Sequence, residues 1–587
     1  MKNEFDLEVD LLIAGAGAGG MTAAIVAARE GLDVLICEKS GQVGGTTATS
    51  AGSLWIPGNQ RGVEDDRVEA EQYLDALIGK KGNKELRQKF LATASQAVNY
   101  LEANSALAFV PTGKYPDYHS GMPGAASGGR VLATAAFDGR LLAAEFERLR
   151  PPMRELMIFG GMMIGVADIS LLVDRFKSVQ AFRHATTLLS RYLIDRLTYS
   201  RGTRLVMGNA LAARLYSSVL SAKIPIRFNC PIDDLIVTNG SVRGVTVCHN
   251  GKLIKVAARR GVILATGGLA GSANYRNEHL PEPRYGIALS CDDDTADGVR
   301  IGMQHGAALA TEPGSSGARW APVSVVRRKD GSVGYFPHFT GRGKPGIIAV
   351  NQRGLRFTNE AQSYHNFVEA MYDANAGQTS VPAYLICDAS AIRRYGLGRI
   401  PPGKRMLRNF INSGYVFSAA TLTELASRLG MDEAGLLDTV ERQNSFAQSG
   451  KDLDFARGET ENDRHGGDIS VHPNPCLGKI ERPPYYAMAL LPAVTTFGPG
   501  LATNANAQVL NAAGDPIPGL YAGGNDMVSI MAGTDPGPGA SLGPILTFAF
   551  IAAMHASRGQ ANAETDWPEE PFRYRPASAA SASKIRL

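Results

Sequence analysis

The sequence predicts an α/β fold, α+β over the whole chain, and three observations carry that expectation. VDLLIA (9–14) is a buried-strand run, Gly17 to Arg29 has helix-forming composition, and LDVLICE (32–38) reads as a second strand. Between the first strand and the helix lies Gly15-Ala16-Gly17-Ala18-Gly19-Gly20, a GxGxxG spacing in the strand–turn–helix setting that gives it meaning. Its first glycine permits the tight turn, the second lets backbone approach a pyrophosphate, and the third lets helix and strand pack closely. The helix start offers bare amides and a dipole that favours negative charge. Glu38 closes the second strand where a carboxylate takes ribose hydroxyls, and Lys39 follows it. A Rossmann-like nucleotide-binding half-domain is the expectation; a Gly-rich turn without a ligand is the bland alternative.

The remaining elements follow in order. A helical pattern occupies about 65–104, and 105–185 is Gly-, Pro- and Met-rich and reads as an irregular insertion. Within it, Leu156 to Val173 is the most membrane-like stretch, but Asp168, Ser170 and three glycines interrupt it. A buried helix or pocket wall is expected there rather than a span, with Met153, Met157, Met162 and Met163 as core filling or an adaptable ligand wall. TTLLSRYLIDRL and NALAARLYSSVL predict amphipathic helices, and short strands follow through GVILATGG. Residues 286–475 have a different texture, 476–560 return to strand and helix, and the Pro/Ala/Ser-rich 561–587 are expected to be disordered.

At 587 residues the chain exceeds one core, so at least two domains are expected. The charge of +4 gives no argument for nucleic acid. Six cysteines without a CxxC pair speak against metal sites and a disulfide framework, and for a reduced, cytoplasmic setting. The charged MKNEFDLEVD runs straight into a strand, so no secretory leader is expected.

Further segments distinguish the nucleotide. Gln42-Val43-Gly44-Gly45-Thr46-Thr47 and Ser50-Ala51-Gly52-Ser53 extend the phosphate loop with small and hydroxylated residues. Ala265-Thr266-Gly267-Gly268 ends a strand of the same half-domain, and Gly523-Gly524-Asn525 offers a second close backbone approach. Together these resemble the flavoprotein family of fumarate reductases, succinate dehydrogenase flavoprotein subunits and 3-ketosteroid dehydrogenases, over about 1–105 and 186–560. The resemblance implies an FAD domain made from 1–285 and 476–560, with a catalytic capping domain inserted at 286–475. It places Asn525 near the ribityl chain and the amides of Ala540, Ser541 and Leu542 at the flavin edge. Some members hold FAD through a histidine in the loop matching Thr46–Ser53; none lies here, so non-covalent FAD is expected.

The stretch Met531 to Pro544 lacks the arginine of fumarate-type enzymes and resembles the GPGATxGP signature of the ketosteroid branch. Asn359-Glu360-Ala361-Gln362-Ser363-Tyr364 resembles the segment carrying that branch's catalytic tyrosine. Tyr115-Pro116-Asp117-Tyr118 resembles the segment of an assisting one, with Tyr118 favoured and Tyr115 as fallback. The implied reaction desaturates a ketone beside its carbonyl: Tyr364 takes the α-proton, flavin N5 the β-hydride, and the Gly539 amide polarises the oxygen. Where the branch has a second polarising tyrosine, this chain has Asp535. Either Asp535 is a neutral donor with a raised pKa, or another phenol substitutes (Tyr192, Tyr485 or Tyr486), or the substrate is not a 3-ketosteroid. The expected partners are a small apolar ketone and, with no second dinucleotide fingerprint, a quinone or other carrier as electron acceptor. No nucleic acid or transmembrane segment is expected; membrane association stays open. Reduction of an activated alkene, and flavin binding without turnover, are the competing functions.

Overall fold

The computed structural model describes residues 5–312, 316–373, 380–403 and 406–558; the tail at 561–587 lies outside them. β1 (Leu7–Ala14), α1 (Ala18–Arg29) and β2 (Val34–Cys37) form the predicted opening unit. β1 and β2 run parallel, and β2 and the end of β1 are buried on both faces, which explains why Leu11–Ala14 and Val34–Cys37 are wholly apolar. β3 (Ile226–Arg227) extends this edge, while β4 (Ile232–Thr238), β5 (Ser241–His249) and β6 (Lys252–Leu264) form a meander whose last strand lies parallel to β1. The order is β3–β2–β1–β6–β5–β4. Helix α2 (Lys84–Asn104), capped by the Asn83 side chain, packs over this layer.

The insertion splits in two. Its first half is tied in where Val131–Thr134 pairs with Ser53–Trp55 and with Phe109–Pro111. In the second half Leu156–Val173 is neither one buried helix nor a pocket wall. Gly160, at φ 77°, turns the chain between Met157–Ile158 and Met162–Met163, and only then does α3 (Val166–Val173) begin. Met162 and Met163 are buried as core filling, but Phe159, Ile169 and Val173 are exposed. Helix α4 (Val179–Asp195) follows, then a helix over Met207–Ser221.

The second sheet is antiparallel: β7 (Ala318–Arg327), β8 (Val333–Pro337), β9 (Ile347–Val350), β10 (Ala383–Asp388), β11 (Phe417–Ala419) and β12 (Tyr485–Phe497), ordered β8–β7–β12–β10–β9. Helix α5 (Tyr364–Tyr372) packs on β7. β12 pairs with both β7 and β10, so this sheet runs past 475 into the stretch assigned above to the returning cofactor segment. A buried 13-residue strand needs partners on both edges, and β7, β10 and β11 supply them. The chain then rejoins the first sheet through β13 (Gln508–Leu510) and β14 (Pro516–Ala522), the latter parallel to β6. The closing α6 (Leu542–Arg558) lies against α1 and α2.

Candidate active site

Both ends of the chain meet at one cleft. Gly15 has φ 99°, and a Cβ there would stand 2.4 Å from the Ala265 carbonyl oxygen. At Gly20 a Cβ would stand 1.9 Å from the Gly15 oxygen. Gly17 is different: no atom lies within 4 Å of where its Cβ would be, and as N-cap of α1 it provides no side-chain cap. The result is a helix start with open space before it, as a pyrophosphate requires. Gly19 brings α1 against the Gly524 amide, 3.1 Å from its would-be Cβ.

A cleft opens there. Gly15, Gly17 and Gly19 line its floor, Glu38, Lys39 and Gly45–Thr47 one side, Ala265–Gly267, Gly524 and Asn525 the other. Glu38 accepts from the amides of Ala16 (2.7 Å) and Ser40 (2.8 Å), and burial raises its pKa. The Lys39 ammonium is held by Asp297 at 2.9 Å. Thr47 Oγ1 accepts from the Ala18 amide at 3.1 Å, and Thr46 Oγ1 from that of Cys291 at 3.0 Å. Three expected contacts do not line the cleft: Gly20, Gly44 and Gly52 serve close packing, Gly52 against the 207–208 backbone.

Asp526, beside the expected Asn525, escapes a motif search. Wholly buried, it accepts from the Thr266 amide (2.6 Å), the Thr266 hydroxyl (2.9 Å) and the Gly268 amide (2.8 Å). It thereby locks the ATGG turn to the returning segment. Burial pushes its carboxyl up to about 6. Asp294, on the cleft wall, is pushed up to about 7 by burial and then by the Asp526 charge. Asp294 Oδ1 is buried without a hydrogen-bond partner, 3.0 Å from where a Cβ of Gly267 would stand.

Gly524, Asn525 and Ile545 also line a second space of about 410 Å³, bounded by Ala540, Ser541 and Pro544 at the start of α6. The dinucleotide cleft thus continues to a second helix N-terminus, where an anionic ring edge is favoured. Leu542, expected here, does not line it. Gly539, at φ 91°, would bring a Cβ 2.5 Å from the Ser53 oxygen, and its carbonyl accepts from the Trp55 amide at 3.2 Å. Bare helix start, ribose carboxylate and elongated cleft fit FAD, and no histidine lines either part among the described residues.

From Ser541 a polar chain leads away from the cleft. Its hydroxyl accepts from Arg319 of β7 at 2.8 Å, and the same guanidinium forms an ion pair with Asp535. The 531–544 stretch has no arginine of its own; this one comes from 216 residues upstream. Asp535 is buried and its Oδ1 is taken up by the Arg319 guanidinium, so it braces a cation rather than standing free as the hydrogen-bond donor considered above. It faces Tyr364, the first residue of α5, which Ser363 caps by accepting from the Asn366 amide at 3.1 Å. Burial and then the Asp535 charge raise the Tyr364 pKa.

Tyr118 meets Tyr364 edge-on, centroids 5.7 Å apart, and Phe339 packs on its other side at 5.0 Å. Burial raises the Tyr118 pKa, and next the charge that Tyr364 would carry. The fallback Tyr115 instead packs on His465 at 4.5 Å. None of the three substitute phenols serves: Tyr192 donates to the Phe159 carbonyl at 2.8 Å, Tyr486 bonds Ser418, and Tyr485 sits at the far end of β12 beside β10 and β11. Glu360, within the tyrosine motif, is a structural anchor, held by Arg356 at 2.7 Å and Arg457 at 3.1 Å.

The FAD binding domain family model matches residues 10–542. The chain is 35% identical over 573 residues, 95% of both chains, to the 4-oxocyclohex-2-ene-1-carboxylate 5-dehydrogenase of Sinomonas cyclohexanicum. It is 34% identical to the 3-oxosteroid 1-dehydrogenase of Mycobacterium tuberculosis, over 93% of this chain and 98% of that one. The crystal structure of 3-ketosteroid delta1-dehydrogenase from Sterolibacterium denitrificans, in complex with 1,4-androstadiene-3,17-dione, superposes with a TM-score of 0.87. That pair is 35% identical and covers 94% of this chain and 99% of the other.

Proposed function

Because the chain belongs to the FAD-binding flavoprotein family, in its 3-ketosteroid 1-dehydrogenase-like branch, we propose that it introduces a C=C bond beside the carbonyl of a cyclic ketone. The observation that carries this reading is the edge-on pair Tyr118–Tyr364 beside Asp535, which Arg319 links to Ser541 on the cleft wall. When bound, FAD supplies the two-electron acceptor for the hydride that leaves the β-carbon. The Gly539 amide donates to the ketone oxygen and acidifies the α-proton.

Tyr364 takes that proton, but its raised pKa means that it begins as a phenol. It can therefore accept a proton only while releasing its own. Asp535 is the acceptor it faces: the α-C–H bond breaks, a new Tyr364 O–H bond forms, and the original hydroxyl proton passes to the Asp535 carboxylate. Tyr118 donates to the Tyr364 oxygen and stabilises charge as it develops there. Asp535 thus stands at the polarising tyrosine's position with a different task. The substrate class includes small cyclic ketones as well as steroids, since relatives named for both kinds are similarly close to this chain.

The test is anaerobic bleaching of the bound flavin by saturated ketones, from cyclohexanone and 4-oxocyclohexanecarboxylate to androstenedione. Rapid bleaching by at least one supports the reading. Reoxidation of dye-reduced enzyme by enones, with no bleaching by saturated ketones, would assign alkene reduction instead. Neither response would leave a flavin-binding protein without turnover.

A further inference from the structure

A side chain that handles a proton works only when its neighbours fix its position to a fraction of an ångström. For Tyr364, one residue outside the tyrosine motif joins those neighbours. Arg342, in the turn after β8, is 2% exposed. Its guanidinium donates to the carbonyls of His338 and Phe339 (3.2 Å to the latter) and to that of Gln362 at 2.8 Å. Phe339 carries the ring packed on Tyr364, and Gln362 stands two residues before it. The same guanidinium lies over the Phe367 ring, in the first turn of α5, at 4.8 Å. One planar fork thus ties the turn bearing Phe339 to the approach and the start of α5. The two segments are also pressed together: a Cβ at Gly343 would stand 3.0 Å from Ala361 Cα.

Bracing alone does not call for a cation. A buried guanidinium without a carboxylate is costly, yet the acceptors of Arg342 are all backbone carbonyls. Glu360, whose charge Arg342 feels, is already held by Arg356 and Arg457. Burial lowers the Arg342 pKa; the charge Tyr118 would carry opposes this first, then those of Glu360 and Tyr364. A fixed positive charge beside the two phenols is offset when negative charge develops on them, as it does while Tyr364 exchanges one proton for another.

We propose that Arg342 is a positioning residue for the proton transfer: it fixes Phe339 and the start of α5 around Tyr364 and keeps a positive charge beside the Tyr118–Tyr364 pair. The proposal rests on the ketone-desaturating reading above.

The test separates the proton step from the hydride step. Flavin-loaded full chain reduced with dithionite cannot accept a hydride, so in heavy water it exchanges α-hydrogens of a ketone through the proton step alone. Exchange into 4-oxocyclohexanecarboxylate and androstenedione is followed by mass spectrometry above the enzyme-free rate, with Tyr364→Phe as the control. Arg342→Ala is expected to slow exchange per bound flavin by about 10²-fold, and millimolar guanidinium should restore part of the loss. Arg342→Lys keeps the charge but cannot bridge three carbonyls, and should fall between parent and alanine. Phe339→Leu leaves Arg342 in place and should also lose exchange, which keeps the proposal testable where Arg342→Ala does not fold. Variants that exchange as the parent does overturn the proposal and leave the desaturase reading standing. A loss that merely follows flavin content, without guanidinium rescue, overturns it as well. A parent that neither exchanges these ketones nor is bleached by them overturns both.

Discussion

Tyr364 is held between Tyr118 and Phe339 by its ring, so Tyr364→Phe preserves packing and deletes only the oxygen that handles the proton. Turnover is expected to fall by about 10²–10⁴ while flavin content and melting temperature stay near parent values. Near-normal turnover in this variant would remove Tyr364 from the reaction. Asp535→Asn keeps an acceptor for the Tyr364 hydroxyl but cannot take its proton, so kcat should drop by a similar factor with KM little changed. Asp535→Ala should regain part of its rate when formate is supplied, because a free carboxylate can enter the vacated space; a carboxylate that only braced Arg319 would give no such rescue. This reading replaces the neutral aspartic acid that the missing tyrosine first suggested. What overturned it was one side chain, Arg319, approaching from a different sheet.

At the scale of elements, Asp526 joins the β6 turn to the segment after β14. Asp526→Ala would strand the amides of Thr266 and Gly268, each costing about 1–3 kcal/mol when buried and unpaired. The expected outcome is a lower melting temperature and flavin lost on gel filtration. The buried pair also sets a pH dependence. Asp526 at about 6 and Asp294 at about 7 both stand above the ordinary carboxylate value of 3.8. The folded chain therefore holds protons at these two sites that the unfolded chain has released, and the stability they contribute declines as pH rises from about 4 through about 7. Asp294→Asn in flavin-free protein should accordingly change the melting temperature, relative to parent, differently at the two ends of that window. A difference between Asp294→Asn and parent that stays constant across the window would contradict the placement of these carboxyls.

For the molecule as a whole, the cofactor site is assembled from residues 15–47, 265–268 and 524–545 without a histidine on its walls. Acid precipitation should therefore release all the yellow colour into the supernatant, and flavin retained in the washed pellet would refute non-covalent attachment. Release should leave the second sheet, with its own Arg356–Glu360–Arg457 anchor, the later part to unfold in a thermal melt followed by tyrosine fluorescence.

By itself the sequence determined what depends on neighbours along the chain. The strand–turn–helix opening, the glycines whose would-be Cβ atoms meet backbone, the Ser363-capped start of α5 and the two tyrosine segments are all written within runs of a few residues. Local dihedral preference and apolar periodicity decide such features before any tertiary contact forms. Tertiary structure alone decided whatever needed a distant partner. It set Tyr118 against Tyr364 and Tyr115 against His465, brought Arg319 to Asp535 and Asp526 to Thr266, and drew β12 into the second sheet. An ion pair or a sheet edge takes its partner from wherever the fold brings the chain back, 216 residues away for Arg319 and Asp535, and no spacing rule encodes that return.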